Sequence, residues 1–274
     1  MWNAVIKQLS ICAIAVSVVS CGGTSSKSGA EAENLLRQAK EQYESGNYDM
    51  AVALLDSLEA SCKDAVDIRR EAMKLRPRMM VDKLTADVAA TDIRLDSLQQ
   101  AGMQLRGGMT HVIVDDFDYY VASEVSNVSP RDAAGLYAKV SPDFTFYAIS
   151  SCDKPIKSTA ITATADGLSI TSPRVDYDGE RNDRTGRCET ITFTESECDS
   201  IAQFVTSHAD SDITLTFSGN GEYSMTMPEK QKQAFAKTYR WVNAIRQHKK
   251  LMLEREKLQL QLATAYKQAE RVEK

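Results

Sequence analysis

The stretch Leu95-Asp96-Ser97-Leu98-Gln99-Gln100-Ala101-Gly102-Met103-Gln104-Leu105-Arg106-Gly107-Gly108-Met109-Thr110-His111-Val112-Ile113-Val114 changes its periodicity half-way along. Before Gly107, Leu84, Val88, Thr91, Leu95, Leu98 and Leu105 recur every three or four residues, and Gly102 stands where another apolar residue is due. That is one face of a helix, and over about three heptads it is the a/d seam of a coiled coil. After the paired glycines, a strong helix stop, the repeat becomes two. A long helix therefore runs directly into a β-rich region, and this junction sets the architecture.

The far boundary mirrors it. Pro228 stands where a first-turn proline is favoured, and Glu229 follows. From there no glycine or proline interrupts a helix to the C-terminus, with Trp241, Ala244, His248, Leu251, Arg255, Leu258, Leu262, Ala265, Ala269 and Val272 along its seam. One long helix enters the β-rich region and another leaves it. The simplest arrangement pairs them antiparallel, with His248 and Arg255 as irregularities in the register; the competing one is a parallel homo-oligomer through the C-terminal helix alone. Between them, runs with period two at His111–Val114, Tyr119–Ala122, Phe144–Ile149, Ala160–Ala163, Leu168–Ile170, Thr190–Phe193 and Ile213–Phe217 predict strands. Ser218-Gly219-Asn220-Gly221 followed by Glu222–Thr226 predicts a hairpin. Thr194-Glu195-Ser196-Glu197 fits a capping box, so a helix through Ile201, Phe204 and Val205 is expected, and Asp132 to Lys139 is read as another short helix. The fold class is α+β, with a helical N-terminal hairpin and long coiled-coil-like helices flanking an inserted, mostly antiparallel β-rich unit.

Upstream, Leu35, Leu36, Ala39 and Tyr43 share one helix face, Gly46 suits the left-handed position after a helix end, and Tyr48 opens a second helix through Leu54, Leu55 and Leu58. The string Ala39…Tyr43…Gly46-Asn47-Tyr48-Asp49…Ala51…Leu55…Leu58 resembles one tetratricopeptide repeat. The resemblance implies two antiparallel helices brought close by small residues, with a tyrosine packed between them. No second copy follows, so a peptide-binding superhelix is not implied. A third helix begins near Lys63, and Pro77 should kink or interrupt it.

At the N-terminus a lone charge, Lys7, precedes an apolar run from Leu9 to Val19 that is too short to span a bilayer. Val18-Val19-Ser20-Cys21 then resembles the lipobox of bacterial lipoproteins. The resemblance implies cleavage before Cys21, a diacylglyceryl group on its sulfur, and a membrane anchored through that lipid. Residue 22 is Gly rather than the Asp that retains some lipoproteins in the inner membrane, which points to the outer membrane; no acidic run follows Cys21 and Lys27 is basic, which favours the periplasmic face over the cell surface. The expected organisation is 1–20 signal peptide, 21–30 Gly/Ser tether, 31–76 tetratricopeptide-like module, 77–108 long helix, 109–227 β-rich unit and 228–274 C-terminal helix pairing with 77–108.

A net charge of −5 argues against a nucleic-acid footprint. Outside Cys12 and Cys21, the cysteines are Cys62, Cys152, Cys188 and Cys198, in a compartment that permits disulfides. Either one bridge forms among Cys152, Cys188 and Cys198 with Cys62 free, or all four thiols are buried and reduced. No phosphate loop, nucleophile elbow, paired-cysteine metal motif or His-Glu-x-x-His helix is present, and no cofactor is expected. Asp115, Asp116 and Asp118 form an acidic patch around Phe117, more often a solvated turn than a cation site. Asp176-Tyr177-Asp178-Gly179-Glu180 begins like a calcium loop but carries Arg187 at the twelfth position. The loop from Arg174 to Arg187 is either a recognition surface or a connector, and His111, His208 and His248, with no nucleophile signature nearby, read as structural or surface residues. These features predict a non-enzymatic, lipid-anchored envelope scaffold or protein-interaction factor with an envelope protein partner. The alternative is a ligand- or glycan-binding lipoprotein using Tyr119, Tyr120, Tyr147 or Tyr177; a hydrolase acting through Asp115–Asp118 is a third reading.

Overall fold

The computed structural model describes residues 24–114 and 117–273. These fall into two compact units, one of residues 24–85 with 261–273 and the other of residues 86–260.

The first unit is helical. Helices α1 (Thr24–Glu44) and α2 (Tyr48–Ser61) form the expected hairpin. Gly46 is left-handed (φ +78°). The Asn47 N–H donates to the Gln42 carbonyl at 2.8 Å and the Gly46 N–H to that of Tyr43 at 3.0 Å, the bond pair of a Schellman cap. Ala32, Leu36 and Ala39 of α1 and Ala51, Leu55 and Leu58 of α2 are buried together with Ala72 and Met79 of α3 (Val66–Arg106). The Tyr43 hydroxyl bonds Asp82, and burial with that bond raises its pKa. Two expectations are corrected. Residues 24–30, assigned by composition to a tether, already belong to α1, because the amphipathic face from Ala32 onward extends the helix backwards. Pro77 does not interrupt α3, which is continuous through it. The missing backbone donor is offset by packing on both sides of it, Ala72 and Leu75 before and Met79 after, and by Arg76 bonding Asp56.

Among the described residues the second unit holds ten strands, all paired antiparallel. In chain order they are β1 (Met109–Val114), β2 (Phe117–Ala122), β3 (Gly135–Val140), β4 (Phe146–Cys152), β5 (Ala160–Ala165), β6 (Leu168–Thr171), β7 (Asn182–Asp183), β8 (Glu189–Thr194), β9 (Thr214–Ser218) and β10 (Glu222–Thr226). They make a six-stranded sheet, β1-β2-β3-β4-β8-β7, and a four-stranded one, β10-β9-β5-β6. The expected hairpin is β9–β10, with Ser218 opposite Glu222. Helix α4 (Ser196–Ser207) forms as expected but begins one residue later than the capping box implies, with Glu195 at the cap; of the box's two bonds, the Glu197 carboxylate accepts from the Thr194 N–H at 3.3 Å. The segment expected to be helical from Asp132 to Lys139 is instead mostly β3. Five of its six residues are buried, so no two-fold alternation marks it as a strand.

Both sheets, α4 and the start of α5 (Glu229–Glu273) share one apolar core, with Phe146, Phe193, Phe217 and Phe235 fully buried. Within this unit α3 and α5 run antiparallel. Arg255 Nε donates to Asp92, and Arg255 Nη2 reaches the other carboxylate oxygen at 3.4 Å. Nearer the sheet, residues 98–106 of α3 face residues 241–248 of α5.

Strand β3 is fastened to α5 through Gln231, whose amide donates to the Tyr137 hydroxyl at 2.7 Å and to the Ala134 carbonyl at 3.1 Å. Gln231 lies so close over Gly135 (φ +145°) that a Cβ there would sit 1.9 Å from its Oε1. Gly135→Ala should therefore destabilise the unit by about 1–3 kcal/mol, read as a lower midpoint in urea unfolding; an unchanged midpoint would mean that Gln231 moves aside freely. Burial pushes the Tyr137 phenol up to about 12, against ~10 in an unfolded chain. Its protonated form contributes stability below pH 10 that is lost as pH rises towards 12. Tyr137→Phe should flatten this part of the alkaline stability profile.

Candidate functional site

Where the two long helices meet the six-stranded sheet, they leave a cleft of about 340 Å³. One wall is α3, through Leu98, Gly102 and Met103; the other is α5, through Trp241, Ala244 and Ile245. Tyr120 of β2 and Phe144 of the β3–β4 turn close it at the sheet. Gly102 supplies the space, since a Cβ at that position would meet nothing within 4 Å. Trp241 is 3% exposed and takes the edges of both other rings, at centroid distances of 5.4 Å to Tyr120 and 5.9 Å to Phe144.

Phe144 is held in the left-handed region, with φ +68°. A bulky side chain there costs of order 1–3 kcal/mol and persists only where its surroundings fix it. They do so here: the Ser141 N–H bonds the Thr145 carbonyl at 3.0 Å, the Phe144 N–H bonds the Ser141 carbonyl at 2.9 Å, and Asp143 accepts from the Thr145 N–H at 3.3 Å. Hydrogen bonds from the Ser141 hydroxyl and Thr145 hold the Asp143 carboxyl below its ordinary value.

Arg106 lines the same cleft. Its guanidinium lies 4.5 Å over the Tyr120 ring and 5.9 Å from that of Trp241, and Nη1 donates to the Met109 carbonyl at 3.1 Å. Lys249 stands 5.5 Å over the Phe144 ring, and His248 lines the cleft. No carboxylate does.

Beside the cleft, β1 and β2 form a ribbon; among the described residues its ladder with β3 is the pair Tyr120 and Val140. His111 stacks on Tyr120 at 4.4 Å and bonds Asp118 across the ribbon. Further out, Ile113, Val114 and Phe117 are 67%, 52% and 65% exposed, three large apolar side chains near one ribbon end. Strand β1 is a sheet edge and contains no lysine or proline, residues that commonly block edge pairing.

The residues singled out from the sequence are dispersed. Cys21, Asp115 and Asp116 lie outside the described residues; Asp118 is engaged by His111. The tyrosines proposed as a ligand surface do not converge. Tyr120 is in the cleft, Tyr119 and Tyr147 flank Lys139 at 5.4 and 5.3 Å, and Tyr177 is in the 174–187 loop. Asp178 accepts the Glu180 N–H at 3.0 Å and Asn182 the Gly179 N–H at 2.8 Å, so the calcium-loop-like string closes on itself. Among the described residues no three acidic, histidine or cysteine side chains gather as a metal site. The 174–187 loop is tied down: Arg181 grips Glu197 with two bonds, at 3.0 and 2.5 Å, and Arg184 meets buried Glu189 at 3.1 Å. The His208 ring bonds the Phe204 carbonyl at the end of α4, and His248 alone of the histidines lines the cleft. Sequence reasoning did not find Arg106, Phe144 or Trp241 as a group. The signals available were Gly102 and His248, each out of place in an apolar seam.

The expected bridge among Cys152, Cys188 and Cys198 is not formed; these three and Cys62 are free, buried thiols. Cys152 stands opposite Glu189, so Cys188 is offset from it by one residue, and successive side chains face opposite ways. Cys198 Sγ is turned to the Glu195 carbonyl at 3.1 Å.

No protein-family model, curated protein or solved structure matches the chain.

Burial pushes the Cys152 thiol up to about 11 and that of Cys198 to about 12. Reactivity follows the thiolate, so neither should be alkylated at pH 8 in the folded protein, and both should be fully alkylated in denaturant. Residue-resolved mass spectrometry after iodoacetamide treatment checks this; a pair unreactive in denaturant until reduced would reveal a bridge.

Proposed function

We propose that this protein is a lipid-anchored cell-envelope interaction factor, a non-enzymatic scaffold that binds a protein partner through the β1–β2 ribbon. One observation carries the reading: a sheet edge whose ribbon shares a single ladder pair with the next strand, lacks lysine and proline and ends in exposed Ile113, Val114 and Phe117. A free edge supplies a row of backbone donors and acceptors to which an extended segment can add as a further strand, while apolar side chains give it grip. Exposed apolar clusters of this kind mark interaction sites. The anchor rests on the Val18-Val19-Ser20-Cys21 pattern; Gly22 supports an outer-membrane location, and basic Lys27 with no acidic run after Cys21 supports the periplasmic face.

Two measurements test the parts separately. Cys21→Ala should abolish incorporation of an alkyne-tagged fatty acid; label retained on that variant would remove the anchor. A photocrosslinking residue at Ile113 should capture a defined envelope protein in cells, and Phe117→Lys should reduce capture at least tenfold. Phe117 is exposed, so this change should move stability by no more than about 0.5 kcal/mol. Capture unaffected by Phe117→Lys would place the partner elsewhere.

A further inference from the structure

We propose that the cleft between α3 and α5 binds a medium-chain alkyl carboxylate, its tail between the helices and its carboxylate on Arg106. This goes beyond the reading of the ribbon and does not depend on it. The argument begins with what Arg106 lacks. Among the described residues it has no carboxylate partner; its recorded hydrogen bond is the one to the Met109 carbonyl, while a guanidinium carries five N–H donors in a planar fork shaped for a carboxylate. The Tyr120 and Trp241 rings hold it at the cleft without neutralising it. Lys249 and His248 add positive or proton-donating character nearby, and no acidic side chain lines the cleft. The electrostatic request is for an anion.

The remaining lining asks for a hydrocarbon. About 340 Å³ is at the small end of ligand sites and, at ~30 Å³ per non-hydrogen atom, the share a water takes in liquid, holds roughly eleven of them. That suits a chain of about ten carbons with its headgroup. Gly102 is the position that admits it, because any side chain there would project into the space where the seam should close. A glycine within a helix costs about 1 kcal/mol relative to alanine, so the open seam is maintained against helix propensity. Phe144, strained at φ +68°, closes the sheet end. A glycan would leave these apolar walls unmatched, and a cationic amphiphile would meet Arg106 and Lys249.

The test titrates the full chain carrying Cys21→Ser with monomeric decanoate, decanol and decyltrimethylammonium, following Trp241 fluorescence and confirming by calorimetry. Decanoate should saturate one site and bind at least tenfold tighter than the other two. Arg106→Gln should weaken decanoate at least tenfold and leave decanol unchanged, which separates a carboxylate contact from a structural role. Gly102→Leu should abolish binding of both; because its Cβ meets no neighbour and leucine is the better helix former, the variant should fold, and a urea midpoint no lower than the parent's with an unchanged circular dichroism spectrum would establish that. Equal affinity for the three amphiphiles, or decanoate binding undiminished in Gly102→Leu, would overturn the proposal. So would binding to anionic phospholipid vesicles with none to monomeric decanoate, which would assign these cations to a membrane surface.

Discussion

Burial of Trp241 between the sheet and the helices is the constraint on which the second unit depends. Its ring belongs to the core shared by both sheets, yet one side of it faces the gap between α3 and α5. Taking Tyr120 and Phe144 edge-on fixes α5 to β2 and to the β3–β4 turn together. Aromatic pairs of this geometry contribute about 0.5–1.5 kcal/mol beyond their buried area, and here two of them act on one residue. The same ring helps to hold Arg106, the last residue of α3, so the end of one long helix, the start of the other and the sheet converge on a single indole.

The pairing of α3 with α5 is correspondingly uneven. Leu95 and Leu251 are buried, as a seam requires, and Arg255 is accommodated because Asp92 faces it. An exposed ion pair of this kind contributes little to stability, but it selects the register, since a shift of one turn would leave both charges without partners. Towards the sheet the seam opens rather than tightens: Gly102 faces the stretch from Trp241 to His248, and no side chain fills the space. Two irregularities that look alike in the sequence thus have opposite meanings. Arg255 is a seam position satisfied by charge, and His248 is a seam position that lines a cleft.

How much of this was legible follows from how each residue is buried. The Gly107-Gly108 break, the β9–β10 turn and the Gly46 cap announce themselves because each depends on local backbone geometry. Strands with one exposed face alternate; β3, buried on both faces, does not, and its composition suits a helix equally well. Pro77 carries a strong local preference to break a helix, and packing on either side of it prevailed. Phe144 gave no signal at all, since its left-handed backbone is imposed by the Ser141–Thr145 turn and not by its own side chain. Arg106 was unreadable for a related reason: its role comes from two rings that lie 14 and 135 residues away in sequence. Local rules reach local structure, and the cleft is made by distant residues.

Tyr120 belongs to both surfaces of the second unit, and this sharing has a physical consequence. On the ribbon it carries the stacked His111, which in turn holds Asp118; at the cleft it carries Arg106 and the edge of Trp241. Among the described residues it is also the one of β2 that pairs in register with β3. A two-stranded ribbon alone is marginally stable in water, so the outer residues depend on this attachment for their orientation. Any anion that draws Arg106 from the Tyr120 ring alters what holds the base of the ribbon. By linkage, if binding at the cleft changed the affinity of β1 for an added strand, that strand would change anion affinity by the same factor. Coupling of this kind needs no rearrangement of the core, because the shared element is a single ring.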